Sequence, residues 1–452
     1  MSVFATKTDQ ALRLRLVTTD ALDAVLSGLS EAVRPLAANF KAKPGDMALL
    51  PADGDVDALL GLGAGDDVFA LGAAAMRLPE GDWAIEALPA GFDPTLTAIA
   101  WGMGAYQFTR YKSASRAPAR LVLPDGADAG EAERVVDAAV LTRDLVNTPA
   151  DAMGPEGLEA AFRALAERHG ADVRVTAGEA LIEENYPMIH AVGRAAGEAP
   201  RLLELEWGDQ KHPRIALVGK GVCFDSGGLD LKAAQFMRLM KKDMGGAANA
   251  MGLAHMIMDA KLPVRLHLLI PAVENAVSAG AFRPGDILSS RQGLTVEIDN
   301  TDAEGRLVLG DALTRACEDA PELLLDFATL TGAARVALGP EVMPFYTDDD
   351  ALAEAISEGA QKVKDPVWRM PLWDNYAKML DSKVADIVNG AASPFAGSIT
   401  AALFLKRFAG ETRWAHFDIF AWNPSARPGH PEGGEIQAVR GVYQFIRDAY
   451  PH

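Results

Sequence analysis

Apolar and polar positions along this chain switch repeatedly between a period of two and a period near 3.6. Leu12-Arg13-Leu14-Arg15-Leu16-Val17 alternates and predicts a strand. Ala48-Leu49-Leu50 and Val68-Phe69-Ala70-Leu71 are short apolar runs that read as further strands, with helical patterns between and after them. Asp125-Gly126 and Asp128-Ala129-Gly130 mark a break. Glu131 to Leu145 then has helical spacing, with Val135, Val136, Ala139, Val140 and Leu141 on its apolar side. Pro155 to His169 predicts a helix, and Asp172 to Val175 and Leu202 to Trp207 predict strands. Beyond these, strands are expected at 215–218, 264–270, 294–298 and 323–327, with helices at about 243–260 and 307–319. Gly397 to Leu405 reads as a helix with Ser398 as its N-cap candidate, Trp414 to Ile419 as a buried strand, and 436–449 as a final helix.

This alternation predicts an α/β protein. A small N-terminal α/β domain is expected over residues 1–128, a linker helix over 129–147, and a larger C-terminal domain over 148–452 with a mixed sheet flanked by helices. No internal repeat and no low-complexity linker interrupts the pattern. At 452 residues the chain is long for one domain, and its 49% of hydrophobic residues supply a large core.

Charge narrows the class. The formal net charge is -19, which argues against nucleic-acid and anionic-membrane partners. Two cysteines, Cys223 and Cys317, make no disulfide framework and fit a reducing, cytoplasmic compartment. Cys223 is expected to be a small buried apolar residue rather than a nucleophile. Met1 to Lys7 shows no basic region followed by an apolar core, so no signal peptide is read there. No uncharged apolar run approaches the ~20 residues that span a bilayer.

The candidate chemistry lies between Gly219 and Leu307. Ile215 to Val218 reads as a short buried strand, and Lys220 and Asp225 follow at its C-terminal end, where ligands bind in open α/β sheets. Asp243, Asp302 and Glu304 come later. Singly, such acids are solvated surface residues. Packed together and buried, four carboxylates would repel one another and take up protons, and two divalent cations would cancel their charge. Oxygen ligands suit magnesium or manganese, and zinc accepts carboxylates too. If the chain stays extended, Asp302, Glu304 and Arg306 point to one side, and Gly305 then lets the backbone turn into a helix. The first domain shows no acid–histidine cluster, and its expected work is assembly or shielding the entrance. His416 is expected to be a hydrogen-bonded core histidine rather than a ligand.

Asn300-Thr301-Asp302-Ala303-Glu304-Gly305-Arg306-Leu307 resembles the hallmark of the leucine aminopeptidase family, two-metal cytosolic aminopeptidases. The stretches Gly219 to Ala248, Asp326 to Ala333 and Asp144 to Pro149 resemble the family's other motifs in the same order, so the likeness covers roughly 140–425.

That resemblance implies a peptide-cleaving exopeptidase and assigns roles. Asp225 and Glu304 would bridge two metals. Lys220 and Asp243 would complete the tighter site and Asp302 the looser one. Lys232 would polarise the substrate carbonyl, and Arg306 would hold a bicarbonate acting as general base. Met240, Thr329, Gly332 and Ala421 would line the pocket for an apolar N-terminal residue such as leucine. Met240 reads equally well as an ordinary core methionine. The family implies a homohexamer and two manganese or zinc ions per subunit, with magnesium or cobalt as other candidates. After Trp422 the segment Asn423 to Glu435 departs from the family's Ala-Thr-Gly-Arg-Pro pattern, which alters the expected pocket wall.

Two other functions fit the same acids. A two-metal phosphoesterase uses similar carboxylates, but no histidine stands among these. A non-catalytic scaffold has no need of Lys232 or Arg306.

Overall fold

The computed structural model describes residues 3–6, 8, 10–50, 57–391 and 393–451, so Met1, Ser2 and Lys7 of the N-terminal reading lie outside the described residues. By internal packing the chain divides into two compact units, one of residues 1–140 and 423–433, the other of 141–422 and 434–452. The division falls inside a single helix, Ala129–Asn147.

Among the described residues the first unit holds a six-stranded sheet. Its strands are β1 (Phe4–Ala5), β2 (Leu12–Val17), β3 (Met47–Leu49), β4 (Ala58–Gly61), β5 (Asp82–Ile85) and β6 (Arg120–Val122), in the order β1-β6-β5-β2-β4-β3. Neighbours run parallel except the β3–β4 pair. The expected strand at 68–71 is instead a 3₁₀ turn, Val68–Ala73. Asp67 Oδ1 accepts from Phe69 N at 2.8 Å and turns the chain there. Val68 to Gly72 are all buried, and a fully apolar run does not disclose its period. Strand β4 went unread for the same reason: Ala58 to Gly61 is buried throughout.

Residues 423–433 pack with this first unit. The Phe69 and His430 rings stand 5.1 Å apart, and a β-carbon at Gly72 would meet Gly429 N at 2.2 Å. The divergent segment, apart from Gly434 and Glu435, is thus part of the N-terminal body and lines no part of the cleft described below.

The second unit is built on a nine-stranded mixed sheet. Its strands are β7 (Asp172–Ala177), β8 (Arg201–Trp207), β9 (Arg214–Gly219), β10 (Gly221–Asp225), β11 (Arg265–Asn275), β14 (Leu323–Ala328), β15 (Met343–Tyr346), β16 (Val367–Arg369) and β18 (Trp414–Asp418). The order is β16-β15-β18-β14-β9-β11-β8-β7, with β10 also paired to β11. The central strands β18, β14, β9 and β11 are parallel. A small sheet of β12 (Ile287–Ser289), β13 (Thr295–Glu297) and β17 (Ile387–Val388) stands apart.

Strand β11 runs five residues past its expected end, through Pro271. Proline usually ends a central strand because it has no N–H to give. Here it stands where pairing passes from β9, which ends opposite Leu269, to β10, which begins opposite Ala272. On its other side Pro271 stands opposite Leu202 of the antiparallel β8.

Helices cover both faces. Ala216, Val218, Leu324 and Ala328 share a core with Leu307, Leu309 and Leu313 of the helix Glu304–Glu318 and with Leu403, Phe404 and Phe408 of the helix Gly397–Ala409. The alternate residues Leu217 and Leu325 are equally buried, as the period of two requires when both faces are covered. The helix Gly245–Asp259 packs on β9 and β14. The helix at 397 is not capped by Ser398. Ala396 precedes it at φ 58°, while Ser398 Oγ donates to Asp418 Oδ2 at 2.9 Å and accepts from Tyr346 at 2.6 Å. His416 is a core histidine as expected: fully buried, with Nδ1 2.6 Å from Asp326 Oδ1. Cys223 is likewise buried. Among the described residues no helix is long and apolar enough to cross a membrane.

One buried ion pair ties the unit's first helix to its C-terminal return. Arg143 reaches Glu435 through Nε (3.1 Å) and Nη2 (2.9 Å to Oε1, 3.2 Å to Oε2), and both side chains are fully buried. Removing one partner strands a charge in the interior. Arg143→Met is expected to cost about 3–5 kcal/mol of unfolding free energy. The double variant with Glu435→Met should recover much of it. Denaturant titration checks both, and a near-neutral single variant would contradict the pairing.

Candidate metal centre

Four strand ends deliver the site. Lys220 follows β9, and its backbone N donates to Phe327 O on β14 at 2.9 Å, which holds the lysine at the carboxyl edge of the sheet. Asp225 ends β10, Asn275 ends β11, and Thr329 follows β14. Asp243 sits in a 3₁₀ turn, Met240–Met244, that leads into the helix Gly245–Asp259. Asp302 and Glu304 arrive from the loop after β13.

This last stretch differs from the extended geometry expected of it. The helix begins at Glu304, so Glu304, Gly305 and Arg306 occupy its first turn instead of continuing a strand. Gly305 is not the hinge. A β-carbon there would lie 2.5 Å from Lys220 Cε and 2.7 Å from Nζ, so glycine leaves room for the lysine. Gly227 does hold a turn, at φ 88°, where a β-carbon would stand 2.5 Å from Asp230 O.

The side chains converge. Carboxylate oxygens of Asp225, Asp302 and Glu304 lie within 4.8 Å of one another. Lys220 Nζ is 2.6 Å from Asp243 Oδ2 and 3.0 Å from Glu304 Oε1. Lys232 Nζ is 2.7 Å from Asp225 Oδ2 and also pairs with Asp302. Thr329 Oγ1 donates to Asp243 Oδ1 at 2.7 Å, and Asn275 Nδ2 donates to Asp225 Oδ1 at 2.9 Å. The loops carrying these groups are laced together. Thr301 N donates to Asp230 Oδ2 (2.7 Å) and Thr301 Oγ1 to Gly227 O (2.6 Å), while Asn389 Oδ1 accepts from Asp299 N (2.9 Å) and Asn300 N (3.2 Å).

Burial dominates the electrostatics. It raises Glu304 to about 8, with repulsion from Asp225 adding to the effect, and raises Asp302 to about 6 in the same way. Burial works to raise Asp243 as well, but the Lys220 and Lys242 ammonium groups hold it below the ordinary carboxylate range. Lys220 and Lys232 are buried against their charge, yet the surrounding acids keep both protonated, above the usual lysine range. Lys242 is drawn down to about 8 by burial, against the pull of Asp243. Burial lowers Arg306 to about 10, which leaves it charged at neutral pH.

These groups suit divalent cations. Four carboxylates face the ammonium groups of Lys220 and Lys232, with Lys242 at 3.8 Å from Asp243, so acids outnumber cations in a buried space. Asp243 Oδ2, Asp302 Oδ1 and Glu304 Oε1 are buried against lysine ammonium groups alone, and Glu304 Oε2 is buried without a hydrogen bond among the described residues. The donors are hard oxygens.

The cleft beside them has a volume of about 820 Å³ and is lined by Lys220, Asp225, Lys232, Asp243, Asp302 and Arg306 among others. Arg306 Nη1 donates to Asn389 O at 2.5 Å. Of the four residues expected to form the side-chain pocket, Met240, Thr329 and Gly332 line this cleft. Met240 is half-buried there, so the core reading of it is set aside. Ala421 is fully buried and is not among the lining residues; its β-carbon faces Gly245. Sequence reading missed Asn275, Asn389 and Asp418. The only available signal for Asn275 was its place at a strand end, hidden by Pro271.

A parallel-centred sheet with clustered acids and lysines at its carboxyl edge defines a metal-dependent hydrolase. Residues 140–443 match the cytosol aminopeptidase family's catalytic domain, and 12–124 match the M17 aminopeptidase N-terminal domain. A "Probable cytosol aminopeptidase" of Geobacter sp. (strain M21) is 40% identical over 77% of this chain and 74% of its own. One of Rhodococcus opacus (strain B4) is 35% identical over 95% and 90%. The crystal structure of a cytosol aminopeptidase from Coxiella burnetii superposes with a TM-score of 0.94 at 42% identity over 99% of both chains. The bottromycin maturation enzyme BotP, in complex with Mn, gives 0.87 at 32% over 97% and 99%. The chain belongs to the cytosol aminopeptidase family, whose members are metal-dependent exopeptidases.

Asn275 is placed to orient Asp225 from behind. Asn275→Ala is expected to weaken metal affinity by roughly 10- to 100-fold while the fold survives. Metal titration with circular dichroism as control checks this; unchanged affinity would remove Asn275 from the centre.

Proposed function

We propose that this enzyme releases N-terminal residues, leucine and other apolar ones among them, from peptides in the cytoplasm. The observation that carries the reading is the convergence of Asp225, Asp243, Asp302 and Glu304 with Lys220 and Lys232 at one sheet edge. Asp225 and Glu304 are the residues suited to hold both ions, with Asp243 and Lys220 completing one site and Asp302 the other; Lys220 would serve only as the neutral amine, its proton displaced by the cation. A pair of such cations, manganese or zinc, would supply an activated water at neutral pH and a Lewis acid for the scissile carbonyl.

The chain's own groups do the rest. Lys232 is protonated and reaches into the cleft, where it is suited to hold charge developing on the carbonyl oxygen. Arg306 presents a guanidinium to the same cleft, and Arg306 Nε is buried without a hydrogen bond among the described residues. Its planar fork fits bicarbonate bidentately, which would place a general base beside the reacting water. Met240, Thr329 and Gly332 give the N-terminal side chain a wall of small or apolar groups. A homohexamer is the assembly proposed by family likeness, with the N-terminal unit serving assembly or the entrance.

Chelated enzyme is expected to lose leucyl-anilide hydrolysis and to regain it with manganese, without acting on nitrophenyl phosphate. Phosphatase activity instead would favour the two-metal phosphoesterase, and silence toward both would favour a scaffold. Glu304→Gln removes a charge central to the cluster and is expected to lower kcat/KM by about 100-fold or more. Near-normal turnover in that variant would overturn its bridging role.

A further inference from the structure

Two cations on the cleft wall have no acid committed to them alone. Lys242 is only 3% exposed, yet it lines the cleft. Its nearest carboxylate oxygen, Asp243 Oδ1, is 3.8 Å away and already accepts from Thr329 Oγ1. Asp243 itself belongs to the metal centre. Arg335 is half-buried in the same wall, and among the described residues its guanidinium forms no ion pair and no hydrogen bond. Both cations rest on one ring: Lys242 Nζ lies 5.5 Å from the Phe420 centroid and the Arg335 guanidinium 4.6 Å from it.

Their position matters. Arg335 Nη2 lies 3.5 Å from the point a Gly332 β-carbon would occupy, which sets the guanidinium at a residue of the side-chain pocket. Asp418, in an adjoining cavity that Arg335 also lines, is already satisfied. It accepts from Leu330 N (3.1 Å), Thr331 N (3.0 Å), Thr331 Oγ1 (2.6 Å) and Ser398 Oγ (2.9 Å). A buried cation without a counter-charge is unfavourable, and a phenyl face offsets only part of that. Two such cations on one ring, open to a substrate cleft, call for an anion from the substrate.

We infer that the pocket for the N-terminal side chain also takes an acidic residue, its carboxylate held by Lys242 and Arg335 and its methylenes by Met240 and Thr329. The inference rests on the aminopeptidase reading and extends its substrate class. Leucine and glutamate leave the α-carbon through the same apolar wall and differ at the far end, where the cations stand. The arginine fork suits a carboxylate, and the lysine adds a point charge.

Glutamyl and glutaminyl substrates are nearly the same size, so their ratio isolates charge. With the full-length manganese-loaded enzyme, kcat/KM for a glutamyl anilide is expected to exceed that for the glutaminyl anilide by about tenfold or more. In Lys242→Met and in Arg335→Gln the ratio should fall toward one, and in Arg335→Glu preference should move toward a lysyl anilide. Ratios within one variant cancel any general loss of activity. Calorimetry with free L-glutamate and L-glutamine should show the same discrimination and the same loss. A wild-type ratio at or below one, or a ratio that neither substitution moves, would overturn the inference. If leucyl anilide is still cleaved in that case, the aminopeptidase reading stands alone. If no aminoacyl anilide is cleaved, both fall.

Discussion

Four carboxylates held close together and out of water repel one another, and the second unit is organised around containing that repulsion. Glu304 and Asp302 show the strain directly, both pushed toward their protonated forms by burial and by Asp225. The protein answers with two lysines, with hydrogen bonds from Asn275 and Thr329, and with loops laced tightly enough that the acids do not move apart. What remains unanswered is negative charge that hard cations can neutralise.

The sheet makes that arrangement possible. Strands β9 and β14 end level with each other, β10 and β11 end opposite each other further along, and each leaves a functional residue at its carboxyl end. Helices on both faces clamp the strands, so the residues that follow them inherit a rigid frame. Close approach is needed as well. Lys220 reaches Glu304 and Asp243 only because Gly305 has no side chain in its path. The helix that starts at Glu304 delivers an acid and an arginine from one turn.

A second electrostatic theme runs along the cleft wall. Lys242 and Arg335 lean on Phe420 without a carboxylate committed to them alone, beside a centre rich in acids. The two sets meet at Asp243, which is held closely by Lys220 and Thr329 and only at 3.8 Å by Lys242, while Asp418 is taken up by the loop 330–331 and Ser398. The cleft therefore carries an acidic end and a basic wall within one cavity.

Much of this was legible in the order of residues. Period-two and helical patterns located most of the second unit's strands and helices, because half-buried elements must alternate with their own geometry. The eight residues from Asn300 to Leu307 identified the family, since each has a chemical task that few replacements meet. Other features needed the folded chain. A fully buried run such as Val68 to Gly72 carries no period, so only its neighbours and Asp67 decide that it turns. Asn275 matters through a strand end that Pro271 concealed, and Gly305 matters through a lysine 85 residues away. Residues 423–433 follow the catalytic stretch in sequence yet pack with the N-terminal unit. Local pattern reports the face a segment must bury. Which distant groups meet, and whether a charge finds its partner, is settled by long-range packing, because those energies depend on separation in space and not along the chain.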